Sequence, residues 1–293
     1  MGGDNCLIQN AKLKMQNGRR KTRSPVFHFA FLIFNFAFLM ARRRFFAPPV
    51  AFALDRATVV LTADEARHLR DVLRLKRGDE VFIFDGEGRE FRCVVEEFGR
   101  DEATLSVSNE VEAARPESTL HLTLAVALLK GEKFELVVQK ATELGVARLV
   151  PVVTKLADVR LRDEADAERR VTRWKRIALE ACKQSGRARV PQIDAPLAFS
   201  KFIENESAKS GAWRAMFAER GGTGLRETIE RLPVRPSVIT ALIGSEGGWT
   251  DEEMAQARDA GWSVVTLGGR TLRAETAAIA ITALLQHLFG DLE

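Results

Sequence analysis

Ser237-Val238-Ile239-Thr240-Ala241-Leu242-Ile243-Gly244-Ser245-Glu246-Gly247-Gly248-Trp249 is an apolar run that stops abruptly in a glycine-bearing loop. A second stretch repeats the design: Ser263-Val264-Val265-Thr266-Leu267 runs into Gly268-Gly269-Arg270-Thr271-Leu272-Arg273-Ala274-Glu275-Thr276. Each reads as a strand followed by a loop. Between them, Thr250 with Glu253 three residues on reads as a helix start. In open α/β sheets, ligands bind beyond the carboxyl ends of strands. Glycine there permits unusual dihedrals and close backbone approach, and such loops present N–H and C=O groups to a ligand. Two of them at equivalent strand ends indicate a binding site.

Working outward, the same alternation continues upstream. Residues 120–127 form a nearly continuous apolar strand, as buried parallel sheets prefer. A helix over 132–144 follows, stopped by Gly145, then a strand over 147–153 and a long helix over 164–184. A short helical piece at 199–203, a strand at 213–218 and a last helix at about 274–289 complete a mostly parallel sheet with helices on both faces. Residues 40–115 differ: short strands at 58–61, 80–86, 90–95 and 103–107 separated by turn residues suggest a small barrel. One helix interrupts it, with Thr62 and Glu65 as a capping box and Ala66, Leu69, Val72 and Leu73 on its inner face. Residues 113–118 read as the linker.

Composition narrows the function classes. The three cysteines are scattered and the four histidines are too, so neither a disulfide framework nor a metal site is indicated. The net charge of +4 does not itself mark a nucleic-acid binder. Residues 1–39 hold six Lys/Arg against Asp4 alone, which leaves the rest of the chain near −1. The apolar run at 26–41 is shorter than the roughly 20 residues of a bilayer span. We read residues 1–39 as a non-native or disordered extension ahead of Met40, with a signal segment as the alternative. A local basic patch remains: Arg42, Arg43, Arg44, Arg67, Arg70, Arg74, Lys76 and Arg77, either a solvated face or a phosphate-binding one. A GxGxxG fingerprint after an early strand and a Walker A sequence are both missing, which disfavours a nicotinamide dehydrogenase.

Four ordered segments resemble one family. GSEGGW at 244–249 resembles its IGPEGG-plus-aromatic motif, and LGGRTLRAETA at 267–277 its LGxRILRTETA motif. QKATELGV at 139–146 resembles QKxTELGV, and WKRIALEACKQSG at 174–186 resembles WxxIxxEAxxQSxR. The family is RsmE, the N3-methyluridine methyltransferases of 16S ribosomal RNA, within the SPOUT superfamily. The resemblance runs from Met40 to the end. Ser245 replaces the usual proline and Ala274 a threonine, and 155–159 departs from an Arg-Cys-containing stretch.

The resemblance implies an α/β, trefoil-knotted domain at 118–293 and a PUA-like barrel at 40–115 that binds RNA. It implies a cytoplasmic homodimer using S-adenosyl-L-methionine on 16S ribosomal RNA, at the uridine of position 1498, with no membrane partner. Cofactor contacts are expected from Leu242, Ile243, Gly244, Glu246, Gly247, Gly248, Leu267, Gly268, Leu272, Glu275 and Thr276. Arg273 is expected to stabilise charge on the uracil oxygens, with an ion pair to Glu275 or Glu246 as its alternative. RNA contacts are expected from Arg42, Arg43, Arg44, Arg74 and Arg270. Glu246 and Glu275 read as loop-fixing acceptors rather than bases, and Thr276 as a cap of the last helix. Gln139, Lys140 and Glu143 support the knot or face RNA. A ribose 2′-hydroxyl methyltransferase and a non-catalytic RNA-binding module stay as alternatives.

Overall fold

The computed structural model describes residues 42–293. The expectation for residues 1–39 lies outside these.

The first sheet has five strands: β1 (Arg44–Phe46), β2 (Thr58–Thr62), β3 (Glu80–Phe84), β4 (Glu90–Phe98) and β5 (Glu102–Val111), in the order β1-β3-β4-β5-β2. β1 pairs with β3 in parallel and the other neighbours are antiparallel. Alternate residues point inward, so Phe45, Val59, Leu61, Val81, Ile83, Cys93, Val95 and Leu105 form one core. β4 changes register against β5 at Arg92/Cys93 and at Val95/Glu97, which bends the sheet around that core.

The helix of this region, α1 (Ala63–Arg67), departs from expectation in two ways. It runs into a π-turn over His68–Val72, where Leu73 N donates to His68 O at 3.0 Å. The wider turn shifts the helical phase, so Ala66 and Leu69 are buried while Val72 and Leu73 are 67% and 40% exposed. The capping box is not made: Thr62 offers no side-chain cap, and Glu65 instead bonds Lys183.

The second sheet is wholly parallel. Its strands are β6 (His121–Ala127), β7 (Arg148–Val153), β8 (Gln192–Ile193), β9 (Leu197–Ala198), β10 (Trp213–Phe217), β11 (Thr223–Gly224), β12 (Val238–Ile243) and β13 (Ser263–Thr266). The order is β11-β13-β10-β12-β6-β7-β8, with β9 also on β7. Six helices accompany it: α2 (Lys133–Glu143), α3 (Glu164–Ser185), α4 (Phe199–Ser207), α5 (Leu225–Glu230), α6 (Asp251–Asp259) and α7 (Ala274–Phe289).

The two faces separate by strand alternation. Leu122, Leu124 and Val126 of β6, with Ile239, Ala241 and Ile243 of β12, meet Phe134, Val137 and Val138 of α2 and Ile281 and Leu285 of α7. Ala125 and Leu242, one residue out of phase, join Phe202 of α4 and Met254 and Ala257 of α6 on the other face. α6 carries the capping box expected of Thr250 and Glu253. The short β8, β9, β11 and α5 had no sequence signal long enough to read.

The two sheets are joined by buried charge. Arg44, 5% exposed, pairs with Glu90, 0% exposed, and donates to the carbonyls of Cys182 at 3.1 Å and Arg187 at 3.0 Å. Arg187 pairs with Glu117 and donates to the carbonyls of Thr142 at 2.8 Å and Val146 at 3.1 Å. Phe84, Cys182 and Ala188 pack around this junction. Among the described residues, no helix is long and apolar enough to cross a membrane.

Candidate functional site

β12 and β13 both neighbour β10, so their ends stand side by side with that of β10. The segments leaving these three ends enclose a cavity of about 430 Å³. Its walls are Phe217, Ala218 and Glu219 after β10, Ile243 to Glu246 with Gly248 and Trp249 after β12, and 267–274 after β13. Ala277 and Ile281 of α7 close it. The volume is in the range of small-ligand sites.

The two glycine loops are built differently. The first is anchored. Trp249 Nε1 donates to Phe217 O at 2.8 Å, and the indole lies so close to Gly244 that a Cβ there would sit 3.0 Å from Cε2. A Cβ on Gly247 would come within 2.7 Å of Leu156 O. Gly248 turns the chain at φ +70°, with Gly248 N on Ser245 O at 3.0 Å. The second loop is open: Gly268 and Gly269 adopt φ of +70° and +71°, and a Cβ on either would meet nothing within 4 Å. There the glycine requirement is conformational, since other residues enter this region at a cost.

Of the expected cofactor residues, Ile243, Gly244, Glu246, Gly248, Leu267, Gly268 and Leu272 line the cavity. Four do not. Leu242 turns its side chain into the core on the far face of the sheet. Gly247 faces Leu156. Glu275 and Thr276 lie within the first turn of α7. Thr276 is not the cap of that helix: Arg273 occupies the N-cap position, and no side chain caps it.

Arg273 is exposed on the cavity wall and makes no ion pair among the described residues. The two acids that the sequence offered it are engaged elsewhere. Lys133, first residue of α2, donates from Nζ to Glu246 Oε1 at 2.7 Å and stands 3.9 Å from Glu275 Oε2. Burial is the largest single influence on Glu246 and opposes its ionisation, yet the Lys133 hydrogen bond, a backbone hydrogen bond and the Lys133 charge together outweigh it and hold the carboxyl below its usual range. Glu246 is therefore ionised near neutral pH and a weak base. The same bond, made first with Glu246 and assisted by Glu275, raises the Lys133 ammonium above its usual value.

Sequence reading missed Phe217, Ala218, Glu219 and Lys133. The first three carried a signal, since a strand was expected at 213–218 and its end belongs to the same sheet edge. Lys133 carried none. Ser245 Oγ and Glu275 Oε2 are buried without a hydrogen-bond partner among the described residues.

The basic residues of the first sheet divide. Arg42, Arg43 and Arg74 are exposed. Arg44 is not available to RNA: its guanidinium is fully engaged in the junction described above, which corrects the sequence expectation. Arg67 pairs with Asp64 and Arg70 with Asp71. Arg270 is exposed at the cavity.

Residues 116–286 match the model of an RNA methyltransferase domain, and residues 61–108 that of an RNA methyltransferase PUA domain. Ribosomal RNA small subunit methyltransferase E of Synechocystis sp. is 32% identical over 252 residues, covering 86% of this chain and 79% of the relative. Its Bacillus subtilis namesake is 28% identical over 253 residues, covering 81% and 94%. A methyltransferase from Legionella pneumophila, solved with bound cofactor SAM, matches with a TM-score of 0.76 at 30% identity, over 86% of this chain and 100% of that one. Ribosomal RNA small subunit methyltransferase E from Neisseria gonorrhoeae, bound to S-adenosyl methionine, matches at 0.74 and 31%, over 86% and 100%. By these matches the chain belongs to the RsmE family of ribosomal RNA small subunit methyltransferases, of the SPOUT type.

Proposed function

We propose that this protein transfers a methyl group from S-adenosyl-L-methionine to N3 of a uridine in 16S ribosomal RNA, the one at position 1498. The observation that carries the reading is an arginine with no acidic partner among the described residues, at a glycine-built cavity, in a chain of this family.

The cavity fits the cofactor. Ile243, Leu267, Leu272, Ala277 and Ile281 give it apolar walls for an adenine ring. Gly268 and Gly269 leave backbone groups open to hydrogen bonding. Ser245 Oγ is a buried polar atom in want of a partner among the described residues, and the carboxylate of Glu219 favours a positively charged ligand. When bound, the cofactor supplies a methyl group on a cationic sulfur.

The chain's own residues do the rest. The cavity walls hold the base and the methyl donor in line. Uracil N3 would lose its proton to solvent water and bond the methyl carbon as that carbon's bond to sulfur breaks, the sulfur leaving as a neutral thioether, and negative charge would spread onto the flanking oxygens. Arg273 donates hydrogen bonds to that charge. Glu246, held ionised by Lys133, keeps the first loop in place. The base has to leave its stack for this edge to reach the cavity.

Residues 40–115 serve as the RNA-docking domain, with Arg42, Arg43 and Arg74 toward phosphates and Arg270 at the active-site end. Residues 118–293 carry the transfer and the trefoil knot. The flanking of β10 by β12 and β13, with α7 returning to pack on α2, supports that topology. A homodimer forms through α7, where Leu284 and Leu288 stay exposed and Ile279 is half-buried. Leu285, next to Leu284 on the same helix, is wholly buried in the core. The protein acts in the cytoplasm, on the small ribosomal subunit.

The test is mass mapping of nucleosides after incubation of the full chain with S-adenosylmethionine and unmodified small ribosomal subunits. One methyl on N3 of that uridine is expected. A 2′-O-methyl nucleoside, or no methyl, would sink the reading.

A further inference from the structure

Four charged side chains converge at the mouth of the cavity: Lys133 opening α2, Glu246 on the first loop, and Arg273 and Glu275 where α7 starts. Their pairing is uneven. Lys133 Nζ serves both acids, at 2.7 Å from Glu246 and 3.9 Å from Glu275. Glu275 is only 12% exposed, and its Oε2 accepts no hydrogen bond among the described residues. Arg273 lies two residues from Glu275 and lines the same cavity as Glu246, yet it pairs with neither. This distribution is unexpected on chemistry alone. A guanidinium matches a carboxylate better than an ammonium does, through its planar fork of donors.

We infer that Lys133 is a positioning residue that keeps Arg273 available to the substrate by neutralising Glu246 and Glu275. An ammonium is a compact point charge on a flexible stem, so one lysine can serve two acids from between them. Without it, two carboxylates would face one remaining cation. Arg273 would fold back onto Glu275 or Glu246, its donors would be taken, and its field at the reacting base would be largely cancelled. The positive charge of Arg273 also acts on the Lys133 ammonium, so the lysine keeps its acids beside a second cation. The site is a competition for two carboxylates that the lysine wins. The inference rests on the transfer role of Arg273.

The test uses Lys133→Met, with Lys133→Gln as the second variant should the first lose its fold, and Lys133→Met combined with Glu246→Gln and Glu275→Gln. The Arg273 Nε–H signal is followed by NMR and assigned by its loss in Arg273→Lys. Single-turnover methylation and S-adenosylmethionine affinity are measured alongside. In the wild type the signal should exchange rapidly with water. Lys133→Met should protect it and slow methylation at least about tenfold, with cofactor affinity little changed. The two glutamine substitutions should restore fast exchange and most of the rate. An Arg273 signal unmoved by Lys133→Met would overturn the inference. So would a rate lost in Lys133→Met and not regained with the glutamines. A wild type that follows the NMR pattern without methylating the uridine would instead sink the transfer reading and leave the charge competition standing.

Discussion

The domain junction and the cavity mouth each hold two acids and two bases, and they use them in opposite ways. At the junction every charge has its partner. Arg44 holds Glu90 and two carbonyls, and Arg187 holds Glu117 and two carbonyls. At the mouth one lysine serves both acids and Arg273 is left over. Taking charges out of water is tolerable only when they are paired and hydrogen-bonded, so the first cluster is scaffolding. A guanidinium kept exposed and unpaired on a cavity wall contributes nothing comparable to the fold. Its availability points to a ligand.

The largest effect expected from this contrast is at the junction. Arg44→Ala removes the guanidinium that makes the bidentate pair with buried Glu90 and should cost about 3–5 kcal/mol in urea denaturation. A loss below about 1 kcal/mol would put Arg44 back among surface arginines. The same variant carries a chemical reporter. Burial pushes the Cys182 thiol up to about 12, so at pH 8 only about one in ten thousand is thiolate and alkylation should be negligible. If the junction opens in Arg44→Ala, Cys182 becomes reactive by peptide mapping. Cys93, also pushed up to about 12 by burial but in the core of the first sheet, should not.

Gly247 and Gly268 test packed against open within the mouth. Gly247→Val forces a side chain onto the Leu156 carbonyl. It should cost about 1–3 kcal/mol of stability, as overpacking does, and weaken S-adenosylmethionine binding through the displaced loop. Gly268→Val meets no neighbour and changes only the backbone preference, about 1–2 kcal/mol confined to an exposed loop. It should weaken cofactor binding with a melting temperature close to wild type. Calorimetric titration beside a thermal melt separates the two, and equal melting shifts would erase the distinction. The smallest effect is expected from Arg43→Ala. It should lower the slope of log RNA affinity against log salt by about one, with the fold intact. An unchanged slope removes Arg43 from the RNA contacts.

What was legible in the sequence was what is written locally. Strand alternation, the run 120–127, the Thr250/Glu253 cap and both glycine loops declare themselves within a few residues, and the structure has them all. The site was half legible for the same reason: the loops could be read, their mutual approach across β10 could not. Arg44 looked like part of a basic surface patch because its partners lie 46, 138 and 143 residues away. Lys133 was invisible because Glu246 is 113 residues off. The π-turn at His68–Val72 was missed because a single extra residue per turn leaves the apolar pattern almost unchanged while rotating Val72 and Leu73 outward.

Under the proposed function, Arg273 stabilises the transition state of the transfer, which the cavity alone does not do. The most direct measurement of that role is single-turnover methylation by Arg273→Ala with both cofactor and RNA saturating. The expected result is a rate lower by about 10²–10³ with both affinities near wild type, the mark of an interaction made in the transition state. A wild-type rate in that variant would contradict the account.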